Sequence, residues 1–282
     1  MKIFITLFIG CLSFHIEAQN SYTEIPINLQ GNLIYIPLKI NGSKPLNFLF
    51  DTGAEVTVLD DAIAEKLELN ITDTAIIGTS AKSLVSQTST SNTIHIGDIQ
   101  LDSQSIEVLS IKHLSDRLKI QIDGIIGYEI LKKYIVTTDL DQMKFIINDT
   151  IKNHHQTNTL QINKIDLENH HFGLPIEIKF RKNSEPVILS FKYDTGFPGN
   201  LIFHNPTVNK YSMEKMRRVR KSKGTSVDNS ITTNLKSKVY QVKLPGSAWK
   251  NVPVGLDVDP LSVQAFEKSK AAGLVGNAIL NR

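Results

Sequence analysis

Cysteine is almost missing from this chain: Cys11 is the single one in 282 residues. It lies inside the apolar run that opens the sequence, so the rest has no disulfide, thiol nucleophile or cysteine metal site. A strong charge of one sign is also missing, with 31 Lys+Arg against 28 Asp+Glu. Cations do concentrate in Lys210–Lys223, where Lys210, Lys215, Arg217, Arg218, Arg220, Lys221 and Lys223 face only Glu214. Tyr211 is the one aromatic residue there, which argues against nucleic acid as a partner, and the run reads as a solvated edge or hairpin. No apolar run reaches the ~20 residues of a membrane span. There is no phosphate-cradling glycine loop, and no serine sits in a nucleophile elbow. His154-His155 and His170-His171 point to opposite faces on an extended chain, with no carboxylate at ligand spacing. They are read as surface loops, and no metal or cofactor is expected. Asn41, Asn70 and Asn148 open acceptor-like triplets that an Asn-, Ser- and Thr-rich chain contains by chance.

What is present begins with Lys2, an apolar stretch from Ile3 to Phe14, and a small residue at Ala18. That pattern reads as an export signal over residues 1–19, placing the protein in the periplasm or the medium. Phe8-Ile9-Gly10-Cys11 is similar to a lipoprotein cleavage box, so anchoring through Cys11 is the alternative.

The remainder repeats itself. Leu46–Phe50 leads into Asp51-Thr52-Gly53-Ala54, and Ile188–Tyr193 leads into Asp194-Thr195-Gly196-Phe197. Gly78-Thr79-Ser80 recurs as Gly224-Thr225-Ser226. Gly124-Ile125-Ile126-Gly127 aligns without a gap to Gly273-Leu274-Val275-Gly276. Three landmarks in the same order indicate duplication. Alternation such as Ile25, Ile27, Leu29 and Ile34, Ile36, Leu38 reads as half-buried strands. Helical periodicity is scarce, with short helices expected over 60–69, after each glycine-bracketed pair, and over 261–272. The expectation is a mainly β, two-lobed protein, with a first lobe over 20–150, a connector over 150–158 and a second lobe over 159–282.

Two Asp-Thr-Gly loops have a chemical use together that neither has alone. Hydrolysis by water needs one group to take a proton and another to give one. Two carboxylates about 3 Å apart cannot both ionise, so they share a proton and supply both roles. Glycine after Asp-Thr lets the backbone N–H approach the carboxylate.

On these residues the chain resembles the pepsin and retroviral-protease superfamily, in particular bacterial retropepsin-like proteases. The resemblance covers essentially everything after the export segment. It implies a duplicated β-barrel fold and an aspartic-type endopeptidase, a hydrolase acting on peptide or protein substrates as a monomer without cofactor. It also implies Asp51 and Asp194 as the catalytic pair, Thr52 and Thr195 as braces, and Gly53 and Gly196 as shapers of the loops. Ala54 and Phe197 would lie beside the substrate. The family's flaps would fall at Gly78–Ser91 and Gly224–Asn234, with Gly78, Thr79, Ser80, Gly224, Thr225 and Ser226 as contacts.

The chain departs from the family in three ways. Phe197 stands where Ala, Ser or Thr is usual, so it either crowds the cleft or lines a pocket. Neither flap segment has an obvious tyrosine. The closing hairpin read over Tyr134–Ile147 has no counterpart before Arg282, which leaves an edge for 22–30 or 160–165 to cover. Two other functions remain open: an inactive exported peptide-binding protein of the same fold, and a homodimeric protease using only Asp51.

Overall fold

The computed structural model describes residues 22–78, 83–148, 166–168, 171–216, 218–225, 231–259 and 270–280. The expected export segment over 1–19, the expected connector over 150–158, His154, His155, His170, Thr79, Ser80, Ser226 and strand candidate 160–165 lie outside them, as does most of the helix expected over 261–272.

The first half runs β1 (Tyr22–Pro26), β2 (Asn28–Gln30), β3 (Leu33–Ile40), β4 (Leu46–Phe50), β5 (Thr57–Leu59), α1 (Asp61–Lys66) and β6 (Asp73–Gly78). It continues through β7 (Ser83–Ile96), β8 (Ile99–Val108), α2 (Lys112–Leu118), β9 (Gly124–Ile126), α3 (Tyr128–Leu131), β10 (Ile135–Asp139) and β11 (Lys144–Asn148). The second half runs β12 (Asp166–Glu168), β13 (His171–Lys179), β14 (Val187–Tyr193), β15 (Leu201–Phe203) and α4 (Asn205–Lys210). It ends with β16 (Arg220–Thr225), β17 (Ile231–Leu244), β18 (Ser247–Asp257), β19 (Gly273–Val275) and a helical turn, Asn277–Leu280.

The duplication is written into the pairing. One sheet has the order β2-β3-β4-β9-β5-β8-β7-β6 and the other β12-β13-β14-β19-β15-β18-β17-β16. Extra pairings, β3 with β7 and β13 with β17, help close each into a six-stranded barrel. In both, the strand entering Asp-Thr-Gly runs parallel to the strand entering the second glycine: β4 beside β9, β14 beside β19. This is the mainly β, duplicated barrel fold that the repeat implied.

Side-chain alternation explains how β4 aims its aspartate. Phe48 and Phe50 enter the barrel core, whereas Leu49 packs on the other face with Tyr35, Val58, Ile111, Leu114 and Ile125. Asp51, two residues after Leu49, continues on that second face. Ala54 packs against the same cluster, so the apolar group lies directly beside the aspartate loop. In the second half, Phe191, Leu201, Phe203, Val254 and Val275 form the corresponding barrel core.

The hairpin β10–β11 pairs as expected, and Phe145 closes on Phe50 with ring centroids 4.7 Å apart. The strand at Tyr22–Pro26 pairs with β11 in a three-stranded sheet. It therefore extends the first half's hairpin and does not cover the second half's edge. The difference has a local cause: β1 turns directly into β2 and β3, which keeps it on the lobe of its chain neighbours.

Candidate active site

The two Asp-Thr-Gly loops meet face to face between the halves. Each aspartate is anchored through its backbone on the neighbouring strand: Asp51 N donates to Ile126 O at 2.9 Å, and Asp194 N donates to Val275 O at 3.0 Å. The glycines that end β9 and β19 leave room for this approach. A Cβ on Gly127 would overlap the Asp51 carbonyl oxygen, and one on Gly276 would overlap the Phe197 carbonyl oxygen. No side chain fits at either position.

The threonines tie the loops to each other. Thr52 N donates to Thr195 Oγ1 at 2.9 Å, and Thr195 N donates to Thr52 Oγ1 at 3.1 Å. Each hydroxyl then donates across the divide, Thr52 to Tyr193 O at 2.6 Å and Thr195 to Phe50 O at 2.7 Å. Both threonines are buried. The result is a network of four hydrogen bonds in which each threonine hydroxyl accepts from one N–H and donates to one carbonyl.

Above that network the two carboxyl groups converge, since a Cβ placed on Gly53 would lie 3.1 Å from Asp51 Oδ1 and 3.3 Å from Asp194 Cγ. Gly53 N donates to Asp51 Oδ1 at 2.7 Å, and N–H groups of Gly196 and Ala54 also favour an ionised Asp51. Burial nonetheless raises the affinity of Asp51 for a proton. Asp194 is raised well above the ordinary carboxylate range, first by burial, then by the charge and hydrogen bond of Asp51. Each residue keeps some surface open to solvent while protein atoms crowd its carboxyl group. Burial and the charge of the neighbouring carboxyl thus both favour a proton bound within the pair. Burial, then the charge Asp194 carries once it ionises, pushes the Tyr193 phenol up to about 12.

Phe197 turns out to be accommodated. Its ring lies against the bare Cα atoms of Gly199 and Gly276, because a Cβ on either glycine would collide with it. The half-buried ring folds back over its own loop. Ala54 and Phe197 bring no hydroxyl to the carboxylates, and their backbone N–H groups donate to Asp51 O at 3.1 Å and Asp194 O at 3.2 Å.

Sequence reasoning missed one residue here. Asn277 is almost fully buried, and its Nδ2 donates to Asn32 O at 2.8 Å and to Thr195 O at 3.0 Å, while Tyr193 Oη donates to its Oδ1 at 3.4 Å. Asn32 sits in the left-handed Gly31-Asn32 turn of the first lobe and sends its own Nδ2 to Pro198 O at 3.3 Å. Asn277 therefore links a turn of one lobe to the aspartate loop of the other. The available signal was position: Asn277 follows the second glycine, where the first repeat has Tyr128.

Of the flap candidates, Gly78 ends β6 in the hairpin β6–β7, and Gly224 and Thr225 end β16 in the hairpin β16–β17. Among the described residues there is no group of histidine, cysteine or acidic side chains arranged to hold a metal. No described helix is long and apolar enough to cross a membrane.

Comparison with known proteins agrees with this geometry. The aspartyl protease family model matches residues 36–130, the segment that contains Asp51 and Gly124–Gly127. That segment is what this chain has in common with the family, and it spans one of the two halves. A retropepsin-like aspartic protease from Rickettsia conorii is among the solved structures similar to this chain, at 20% identity and a TM-score of 0.33. The match covers 45% of this chain and 89% of that one. No curated protein sequence matches the chain. The matched segment ends at Ile130, and the loop at Asp194 repeats the strand order and hydrogen bonding of the loop at Asp51 within this chain.

Proposed function

We propose that this protein is an aspartic endopeptidase in which Asp51 and Asp194 form a single proton-sharing pair within one chain. The observation that carries the reading is the convergence of the two carboxyl groups on loops tied together by reciprocal threonine bonds. Asp51, with three backbone N–H groups favouring its charge, takes a proton from the attacking water. Asp194, whose proton is retained by burial and by its neighbour, donates to the carbonyl oxygen of the scissile amide. Collapse of the resulting gem-diol breaks the C–N bond: the proton that Asp51 took from water passes to the leaving nitrogen, and a gem-diol hydroxyl returns a proton to Asp194 as the new carbonyl forms. The substrate is an extended polypeptide, and the hairpins at Gly78 and Gly224 close over it. The segment from Lys2 to Ala18 supports export.

The intrachain pair favours this reading over a homodimer that relies on Asp51 alone. The test is digestion of a mixed peptide library by the wild type, Asp51→Asn and Asp194→Asn, with sedimentation to confirm monomers. Both variants should stay folded and lose at least about a thousandfold in kcat/KM. Full activity of Asp194→Asn would point to the homodimer. Peptide retention without cleavage by the wild type would point to a binding protein.

A further inference from the structure

The equivalent hairpins β6–β7 and β16–β17 are matched in topology and opposite in chemistry. The strands β6 and β7 contain no lysine or arginine, and their ionisable residues are Asp73 and His95. The hairpin β16–β17 places Arg220, Lys221 and Lys223 on one strand and Lys236 and Lys238 on the other, all five exposed. None of the five is held in an ion pair with another described residue. Arg220 stands directly opposite Lys236, a like-charge pair that costs stability in a sheet. On the far side, Lys236 is opposite Gly255 and Lys238 opposite Pro253, so no acid relieves them there.

Two further facts indicate what this surface takes. β16 ends its sheet and pairs with β17 alone, so its outer backbone edge has no strand neighbour among the described residues. Alternation puts Lys221 and Lys223 on one face of that strand and Arg220 on the other, so cations flank both sides of the free edge. An extended segment added there would place its alternate side chains between these cations. A second copy of the same edge would be repelled, which leaves an acidic segment as the complementary occupant.

We propose that β16 is a docking strand for acidic polypeptide segments, so that this protein selects chains with glutamate- or aspartate-rich stretches. As a statement about substrate, this rests on the protease reading above; as a statement about binding, it stands without it. The test therefore uses an Asp51→Asn protein, which binds whether or not the native one cleaves. Its affinity is measured for a glutamate-rich extended peptide, the same peptide with glutamine, and the glutamate peptide with alternate backbone N-methylation. The glutamate peptide should bind at least about tenfold more tightly than the glutamine peptide, with the advantage fading at high salt. Lys221→Glu/Lys223→Glu should abolish that preference, and N-methylation should weaken binding because it removes strand pairing. Equal affinity for the glutamate and glutamine peptides would overturn the proposal, as would an unchanged preference in the double variant. Undiminished binding of the methylated peptide would overturn the strand-addition geometry. Tighter binding to phosphatidylglycerol vesicles or to a DNA oligonucleotide than to the acidic peptide would assign the surface to a different partner. If the native protein cleaves acidic and neutral peptides equally while the binding preference holds, the hairpin recruits a partner and not the substrate.

Discussion

The two lobes have the same strand order, yet equivalent positions in them do different jobs. After β5 the first lobe has Asp60, whose carboxylate caps α1 at Ala62 N and also accepts from Ile111 N at 3.0 Å. After β15 the second lobe has His204, which makes no side-chain cap to α4 and is buried. After the second glycine, Tyr128 lies under Lys132 at 5.7 Å, whereas Asn277 turns inward to join the lobes. Duplication has preserved what the backbone needs and released the side chains to specialise. The glycines, the threonines and the anchoring carbonyls are the preserved part because each occupies space or a hydrogen bond that no other residue can fill.

The largest effect should come from the preserved glycines. Gly127→Ala and Gly276→Ala each force a methyl group into a carbonyl oxygen and should cost on the order of 3 kcal/mol or more in chemical denaturation. A mild effect at Gly276 alone would break the equivalence of the loops. Next come the threonines. Thr52→Val and Thr195→Val each leave buried N–H and carbonyl groups unpaired, at about 2 kcal/mol apiece. Because each threonine is the other's partner, the double variant should cost clearly less than the sum. Strict additivity would show that the network does not act as one unit.

His204 separates the lobes by pH. Burial, then the charge of Lys192, lowers this imidazole from 6.5 to about 3. The unfolded chain gains a proton below about 6.5 that the folded chain refuses until about 3, so stability falls as pH drops between those values. His204→Asn, which restores a capping residue as in the first lobe, should flatten that loss in melting temperatures taken across this window. An unchanged slope would assign the acid sensitivity elsewhere. The smallest effect concerns Ala54. Burial raises the dyad, and no hydroxyl opposes it at Ala54 or Phe197, so activity should peak in weak acid and fade as both carboxyls ionise. Ala54→Ser should move the acidic limb of the kcat/KM profile downward, and a wild-type optimum in strong acid would contradict the argument.

The sequence made the repeated elements readable because their constraints are local. β4 and β14 announce themselves by apolar runs ending in Asp-Thr-Gly, and Asp60 followed by an apolar pattern marks α1. The helix α2 was missed because it makes only two turns, although Ile111, Leu114 and Leu118 do recur at helical spacing. α4 begins Asn205-Pro206, a pair that reads equally well as a turn. Asn277 was hidden for a different reason: its partners Asn32 and Thr195 are 245 and 82 residues away, and no pattern within the chain announces them. The way Phe197 folds back also depends on a distant glycine, Gly276, so its neighbours in sequence could not decide it.

The central claim is that one proton is shared between Asp51 and Asp194, and it can be watched without any substrate. In protein labelled with 13C at the aspartate carboxyl carbons, NMR titration should resolve two coupled carboxyls, one staying protonated well above the ordinary aspartate range. Asp51→Asn removes the neighbouring charge, so the Asp194 signal should then titrate at lower pH than in the wild type. Two carboxyls that titrate independently in the ordinary range, or an Asp194 signal indifferent to Asp51→Asn, would contradict the account.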